Sequence, residues 1–127
     1  MTLPYGAIVL DHFRRPRNRR ALDTPTTTRE GYNPLCGDRV RIELELEDGA
    51  VRSAAFTANA CVICTASASL LTERVTGLSL ERASQLTDEE TVAALGTQVP
   101  AGRLMCAILP VRTLREALAA LPPHSTT

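Results

Sequence analysis

The stretch RVRIELELEDGAVRSAAF, residues 39–56, decides how this chain folds. In its first half, aliphatic and charged residues alternate without interruption, so that four aliphatic side chains share one face of an extended segment. Such alternation is typical of a half-buried β-strand. The dipeptide Asp48-Gly49 is a strong signal for a two-residue hairpin turn, and residues 50–56 supply the returning strand. The sequence therefore predicts an antiparallel hairpin with strands at 39–47 and 50–56.

Helical patterns flank this hairpin on both sides. Apolar residues at helical spacing predict a first helix over residues 4–15, which Pro16 ends. Four further helices are predicted after the hairpin, over residues 62–76, 79–86, 87–95 and 103–121. Thr87 and Glu90 have the spacing of a capping box. Pro110 is expected to kink the last helix or to make it restart.

The remaining segments lack periodicity. Residues 17–34 are polar and turn-rich, which predicts an extended surface loop that delivers Cys36, and residues 122–127 are expected to form a flexible tail. The order of the elements indicates an α+β fold, an antiparallel sheet of about three strands with helices packed on one face. We expect a single domain spanning residues 1–127.

The composition excludes several classes of function. With 127 residues, 44% of them apolar, the chain can bury a core without disulfides. The 14 basic and 14 acidic residues balance, so we expect neither a nucleic acid nor a membrane as a partner. All the basic residues are arginine, which excludes Schiff-base chemistry on lysine. Without a leader-like N-terminus or a long apolar segment, the expected location is cytoplasmic.

Three of the four cysteines lie where a predicted element begins. Cys36 precedes the first strand, Cys61 stands at the start of a helix, and Cys106 lies near the start of the last helix. In a reducing compartment such cysteines favour metal binding or thiol chemistry over a disulfide framework. They are too far apart in the sequence for a local metal knuckle. Any shared site must therefore be assembled by the fold at one end of the sheet.

The tripeptide Cys36-Gly37-Asp38 strengthens the metal hypothesis. Glycine lets the backbone turn tightly enough for a thiolate and a carboxylate two residues apart to face one ion. Three sulfurs and one oxygen suit zinc or iron. A carboxylate in place of a fourth thiolate is a harder ligand that is more easily displaced, which indicates a site that holds its metal transiently.

Other candidate residues have alternative interpretations. Cys64 is interpreted as a core thiol, although Cys61 and Cys64 together form the C-x-x-C pattern of thiol oxidoreductases without the expected strand-helix-strand context. His12 is interpreted as a structural histidine. Arg103 could steady a negatively charged cluster or face water.

These motifs resemble the U-type iron–sulfur scaffold family, which comprises IscU, SufU and the N-terminal domain of NifU. The segment NPLCGD at residues 33–38 is similar to the first metal motif of that family, and CVICTASAS at 61–69 is similar to the second. The segment RLMCAILP at residues 103–110 is similar to the third metal motif of the family. The resemblance extends over nearly the whole chain.

The resemblance implies a scaffold or carrier more than a catalyst. Its ligands would be Cys36, Asp38, Cys61 and Cys106, and Cys106 would accept the sulfur. The implied cargo is a transient iron–sulfur cluster of the 2Fe–2S type, with Zn²⁺ as the alternative metal. A cysteine desulfurase would supply sulfur, and apo iron–sulfur proteins or carriers would receive the cluster.

The chain departs from the family pattern at several positions. Ala58-Asn59-Ala60 stands where the family has glycines. Cys64 replaces a small hydroxyl residue or alanine, so it is a candidate auxiliary thiol. Arg103 is a candidate auxiliary cation. Met105 stands where the IscU branch has histidine, and the insertion of the SufU branch is absent. Three alternatives stay open: a zinc-bound sulfur acceptor that relays persulfide, a thiol oxidoreductase using Cys61 and Cys64, and a structural zinc domain.

Overall fold

A computed structural model of the protein describes residues 6–121. Within these residues, three strands and five α-helices follow one another in the order α1, β1, β2, β3, α2, α3, α4 and α5. Their bounds are Ala7–Arg14 (α1), Thr27–Asn33 (β1), Asp38–Glu47 (β2), Ala50–Asn59 (β3), Val62–Val75 (α2), Leu80–Ser84 (α3), Asp88–Ala94 (α4) and Leu104–Ala119 (α5). A short 3₁₀ turn, Ala101–Arg103, leads into α5.

The predicted hairpin is confirmed, because β2 and β3 pair antiparallel across Asp48 and Gly49. Both turn residues have positive φ angles, 53° and 74°, as a turn that follows the right-handed twist of the strands requires. The returning strand, β3, is three residues longer than predicted. It pairs with β2 as far as its last residue, Asn59, which lies opposite Arg39. This pairing sets the chain just after β3 beside the start of β2.

The prediction of a loop throughout residues 17–34 was wrong, because residues 27–33 form the edge strand β1. It pairs antiparallel with β2, from Thr27 opposite Leu44 to Asn33 opposite Asp38. Its residues are mostly exposed and polar, so the alternation that reveals a half-buried strand is absent. The strand is specified by its neighbours, the open edge of β2 and helix α5, rather than by its own pattern.

The core lies between one face of the sheet and the helices α2 and α5. Phe56, Ile42 and Leu44 from the strands are fully buried, together with Ile63 of α2 and Leu114 of α5. Helix α2 is rich in Ala and Ser and is buried along almost its whole length. Small side chains permit this close approach on several sides of one helix. The predicted α+β fold is confirmed.

The helix boundaries differ modestly from the predictions. α1 covers residues 7–14 of the predicted 4–15, and residues 4 and 5, like the predicted tail at 122–127, lie outside the described residues. The capping box of Thr87 and Glu90 is present at the start of α4. Of the kink or restart expected at Pro110, the restart is excluded, because α5 continues through this residue. Pro110 is buried, so packing on the core holds both halves of α5 and offsets the one lost backbone hydrogen bond. None of the described helices is long and apolar enough to cross a membrane.

Candidate metal centre

A tight turn between β1 and β2 presents Cys36 at one end of the sheet. The Asn33 carbonyl accepts the Gly37 N–H at 2.8 Å, and the Asn33 side-chain oxygen accepts the Leu35 N–H at 3.1 Å. Gly37 has φ +76°, a conformation that side chains other than glycine rarely adopt. The turn therefore leaves Cys36 exposed at its tip while Asp38 begins β2.

The fold brings Cys36, Asp38 and Cys106 together. Their ligand atoms, two sulfurs and a carboxylate oxygen, all lie within 4.8 Å of one another. The two sulfurs are 3.5 Å apart. A tetrahedral zinc ion with Zn–S bonds near 2.3 Å holds two thiolates about 3.8 Å apart. The thiols of the first turn and of α5 thus stand close to the separation that one shared ion requires.

Asp38 has one carboxylate oxygen with a partner and one without. Oδ1 accepts the backbone N–H of Cys61 at 3.1 Å, whereas Oδ2 is buried and accepts no hydrogen bond from the described part of the chain. Burial raises the pKa of this carboxyl, but the neighbouring thiols, Cys106 foremost, and the Cys61 N–H together lower the pKa below its ordinary value. Asp38 is therefore ionised at neutral pH. A buried anionic oxygen without a partner fits a cation ligand.

Cys61 lies beside this group of three ligands, outside the 4.8 Å cluster among the described residues. It is the N-cap of α2, half-buried, with an extended backbone conformation. Its thiol is among those that lower the pKa of Asp38, so it faces the same carboxylate. The register of β3 on β2 accounts for this position. Asn59 pairs with Arg39, the residue after Asp38, and Cys61 follows Asn59 by two residues.

Cys106 lies in the first turn of α5 and is 1% exposed. Burial, followed by the neighbouring Asp38 carboxylate, raises the pKa of its thiol. Without a bound cation this sulfur is protonated, and a metal ion would have to displace the proton. The more accessible sulfur of the pair is Cys36.

The chain matches the model of the NifU-like N terminal domain over residues 4–126. It belongs to this family. The iron–sulfur cluster assembly scaffold protein IscU of Thermotoga maritima is 35% identical to it, covering 90% of this chain and 92% of that protein. The zinc-dependent sulfurtransferase SufU of Bacillus subtilis is also 35% identical, over 62% of this chain and 53% of that protein.

A solved structure shows the same fold. The N-terminal part of a nitrogen-fixing NifU-like protein from Brucella abortus superposes with a TM-score of 0.71, covering 90% of this chain and 91% of that one. The two sequences are 19% identical, so this likeness concerns the fold alone.

Within this NifU-type domain, the two auxiliary candidates occupy different environments. Cys64 is completely buried in the first turn of α2, as predicted for a core thiol, and burial raises the pKa of its thiol. Arg103 is exposed at the end of the 3₁₀ turn before α5.

His12 is buried away from the metal centre, where it joins α1 to α2. Its Nδ1 lies 2.8 Å from the Ser69 hydroxyl, which also accepts the Arg17 N–H at 2.8 Å. Burial and the nearby Arg17 charge lower the pKa of His12, which favours the neutral ring. These contacts agree with the predicted structural role of this histidine.

Exposed apolar side chains near the metal centre were not singled out from the sequence. Leu35 is 87% exposed, and Leu104 and Met105 are 41% and 42% exposed. They flank Cys36 and Cys106 in the chain, which was the available signal. Exposed aliphatic residues beside a functional site indicate a contact surface.

Proposed function

We propose that this chain is a scaffold on which iron and sulfide are assembled into a cluster that is then handed on. The observation that supports the proposal is the meeting of Cys36, Asp38 and Cys106 with Cys61 alongside, around a buried carboxylate oxygen that accepts no hydrogen bond from residues 6–121. The proposal also agrees with the IscU name of relatives that are 35% and 30% identical over 90% of the chain.

In this proposal the three thiolates bind iron and Asp38 is the exchangeable fourth ligand. Iron and thiolate sulfur form strong, soft bonds, whereas a carboxylate is harder and is displaced more readily. Release starts with Asp38, and Cys36, at the exposed tip of its turn, provides the side from which a recipient approaches. A transient holder needs such an asymmetric ligand set, while a permanent electron carrier does not.

The proposed partners are a cysteine desulfurase, which supplies the sulfur, and apo iron–sulfur proteins or carriers, which receive the cluster. Cys106 is the proposed sulfur acceptor. Because it is buried and 3.5 Å from exposed Cys36, a donor reaches it past that residue. The exposed side chains of Leu35, Leu104 and Met105, which are close to these two cysteines in the chain, suit contact with a protein partner.

The test is anaerobic reconstitution with iron and sulfide, followed by visible spectroscopy. We expect a labile chromophore in the wild type and a longer-lived one in Asp38→Ala, because the exchangeable ligand is gone. Glu43→Gln is the matched control, since Glu43 is a buried carboxylate on the same strand whose oxygens already bind Arg41 and the Leu22 N–H. An unchanged lifetime in Asp38→Ala would remove the role given to that residue, and no chromophore in the wild type would refute the scaffold.

A zinc-bound sulfur acceptor is the second candidate. The 3.5 Å sulfur–sulfur distance is close to that of a tetrahedral zinc site, and the SufU relative is a zinc-dependent sulfurtransferase. Elemental analysis of protein purified without oxygen separates the two functions: stoichiometric zinc with persulfide on Cys106 supports the acceptor, and iron with acid-labile sulfide supports the scaffold.

A further inference from the structure

Cys64, which follows Cys61 in a C-x-x-C, is a feature of the site that metal binding does not explain. Cys61 is the half-buried N-cap of α2, and Cys64, three residues later, is completely buried in the first turn. A C-x-x-C at a helix N-terminus pairs a reactive thiol with a protected one. Among the described residues, Cys64 is not part of the cluster of ligand atoms, so metal binding assigns this thiol no role.

We propose that Cys64 is a resolving thiol that reduces sulfane sulfur which Cys61 has taken over from the Cys106 persulfide by thiol exchange, releasing sulfide into the metal centre and closing a Cys61–Cys64 disulfide. This inference rests on the proposed function, because it assumes that sulfur is delivered to the cysteines of this site. In this role, the thiols of Cys61 and Cys64 supply the two electrons that reduce sulfane sulfur to sulfide.

The geometry gives the four cysteines different positions. Cys36 and Cys106 are 3.5 Å apart and, with Asp38, form the group that suits one ion. Cys61 lies outside that group but is attached to it, because its N–H donates to Asp38 Oδ1 at 3.1 Å. The other oxygen of Asp38 is buried and has no hydrogen-bond partner among the residues that the structure describes, which indicates a cation position next to the sulfurs of Cys36 and Cys106. Before iron is bound by all three thiolates, the Cys61 thiol is therefore available to carry sulfur.

The positions of Cys61 and Cys64 permit a disulfide. Residues three apart on a helix surface have Cβ atoms about 5–6 Å apart, and a disulfide needs about 3.5–4.5 Å. Cys61 has φ −70° and ψ 174°, outside the helix, which places this C-x-x-C at the N-terminus of α2. Thioredoxin-type dithiols have the same C-x-x-C spacing and close a disulfide.

The step balances without an added oxidant. The Cys64 sulfur attacks the inner sulfur of the Cys61 persulfide, the persulfide S–S bond breaks, and the Cys61–Cys64 bond forms. The outer sulfur leaves with the bonding electron pair and takes up the Cys64 proton, so it departs as hydrogen sulfide. The outer sulfur gains two electrons, and the two cysteine sulfurs supply them as they become a disulfide. A dithiol reductant then restores both thiols.

The test is a single turnover of the full-length reduced protein with inorganic polysulfide as the probe, after removal of free reductant. We measure released sulfide colorimetrically and map persulfides and disulfides by mass spectrometry. The wild type should release sulfide as a Cys61–Cys64 link accumulates. Cys64→Ser should retain the Cys61 persulfide and release sulfide at least about tenfold more slowly, because the resolving thiol is missing. Cys64→Ala is a second variant in case the serine variant folds poorly, and it should show the same slow release. Cys36→Ser keeps both Cys61 and Cys64 and should still form the disulfide between them.

A second arm separates this inference from the proposed function. Reconstitution with iron and inorganic sulfide bypasses sulfur reduction, so wild type and Cys64→Ser should form the same chromophore. Equal sulfide release from wild type and both Cys64 variants, or a disulfide that joins Cys36 to Cys106 instead, would overturn the resolving role even if the chromophore forms. Failure of the chromophore in every protein would count against the scaffold, while the mapped Cys61–Cys64 link would still support the dithiol pair.

Discussion

Substitution of Gly31 by alanine tests how closely strand β1 approaches helix α5. A Cβ at this position would collide with the Thr113 hydroxyl and would lie 3.2 Å from both Thr113 Cβ and Leu109 Cδ1. Thr113 is 1% exposed, and its hydroxyl already donates to the Leu109 carbonyl at 2.8 Å, so it has little room to move. The new methyl group can be accommodated only if α5 shifts away from the strand.

The expected loss of unfolding free energy is set by this overpacking. Forcing an extra methyl group into a packed core costs about 1–3 kcal/mol, and the lower entropy of the unfolded chain with alanine returns about 0.4–1 kcal/mol. We therefore expect Gly31→Ala to destabilise the protein by about 1–2 kcal/mol. Because β1 leads to Cys36 and α5 carries Cys106, the same shift should weaken binding of Zn²⁺.

A double-mutant cycle with Thr113→Ala isolates the contact. Thr113→Ala alone should cost about 1 kcal/mol through its lost hydrogen bond, yet it should largely rescue Gly31→Ala by removing the colliding hydroxyl. The coupling energy should be about 1–3 kcal/mol in the rescuing direction. Urea denaturation supplies these values. Gly102→Ala is the control, because a Cβ at Gly102 meets nothing within 4 Å in the described structure.

Additive effects in the cycle, or a Gly31→Ala protein as stable as Gly102→Ala, would refute the close approach of β1 to α5. A rescued stability without rescued zinc binding would refute the link between this contact and the spacing of Cys36 and Cys106.

Three further predictions concern the stability of the fold that supports the site. Burial and Arg17 lower the pKa of His12, so the unfolded state binds the proton more tightly than the folded state does. The free energy of unfolding should therefore fall as the pH drops below about 6.5. In His12→Gln, the midpoint of urea denaturation should depend less on pH between about pH 5 and 7.5. Asn18 has φ 64°, so Asn18→Ala should cost about 1 kcal/mol and Asn18→Gly less, as measured by thermal unfolding. Thr87→Ala removes the capping box of α4 and should cost about 1 kcal/mol in urea, whereas Thr87→Ser should keep most of the cap.

Each of these has a clear contrary result. A His12→Gln protein with the same pH dependence as wild type would show that another group titrates in that window. Equal stability of the alanine and glycine variants at Asn18 would mean that its left-handed backbone carries no cost. A Thr87→Ser protein as unstable as Thr87→Ala would argue against the hydroxyl as the cap.

Local chemistry along the chain was sufficient for the hairpin, the helices and the candidate ligands. Alternation in residues 39–46 and the Asp48-Gly49 turn specify β2 and β3, because both signals act between neighbours in sequence. The helices follow from apolar periodicity and from caps such as Thr87. Cysteines at the starts of elements, with Asp38 after a glycine, were visible for the same reason.

Contacts between distant segments determined the rest. β1 has no apolar alternation of its own and becomes a strand because β2 offers an open edge and Gly31 lets α5 approach. Pro110 remains within one helix because the core holds α5 on both sides of it. The 3.5 Å between the sulfurs of Cys36 and Cys106 depends on strand register and helix packing, which arise between residues far apart in the chain and leave no local pattern.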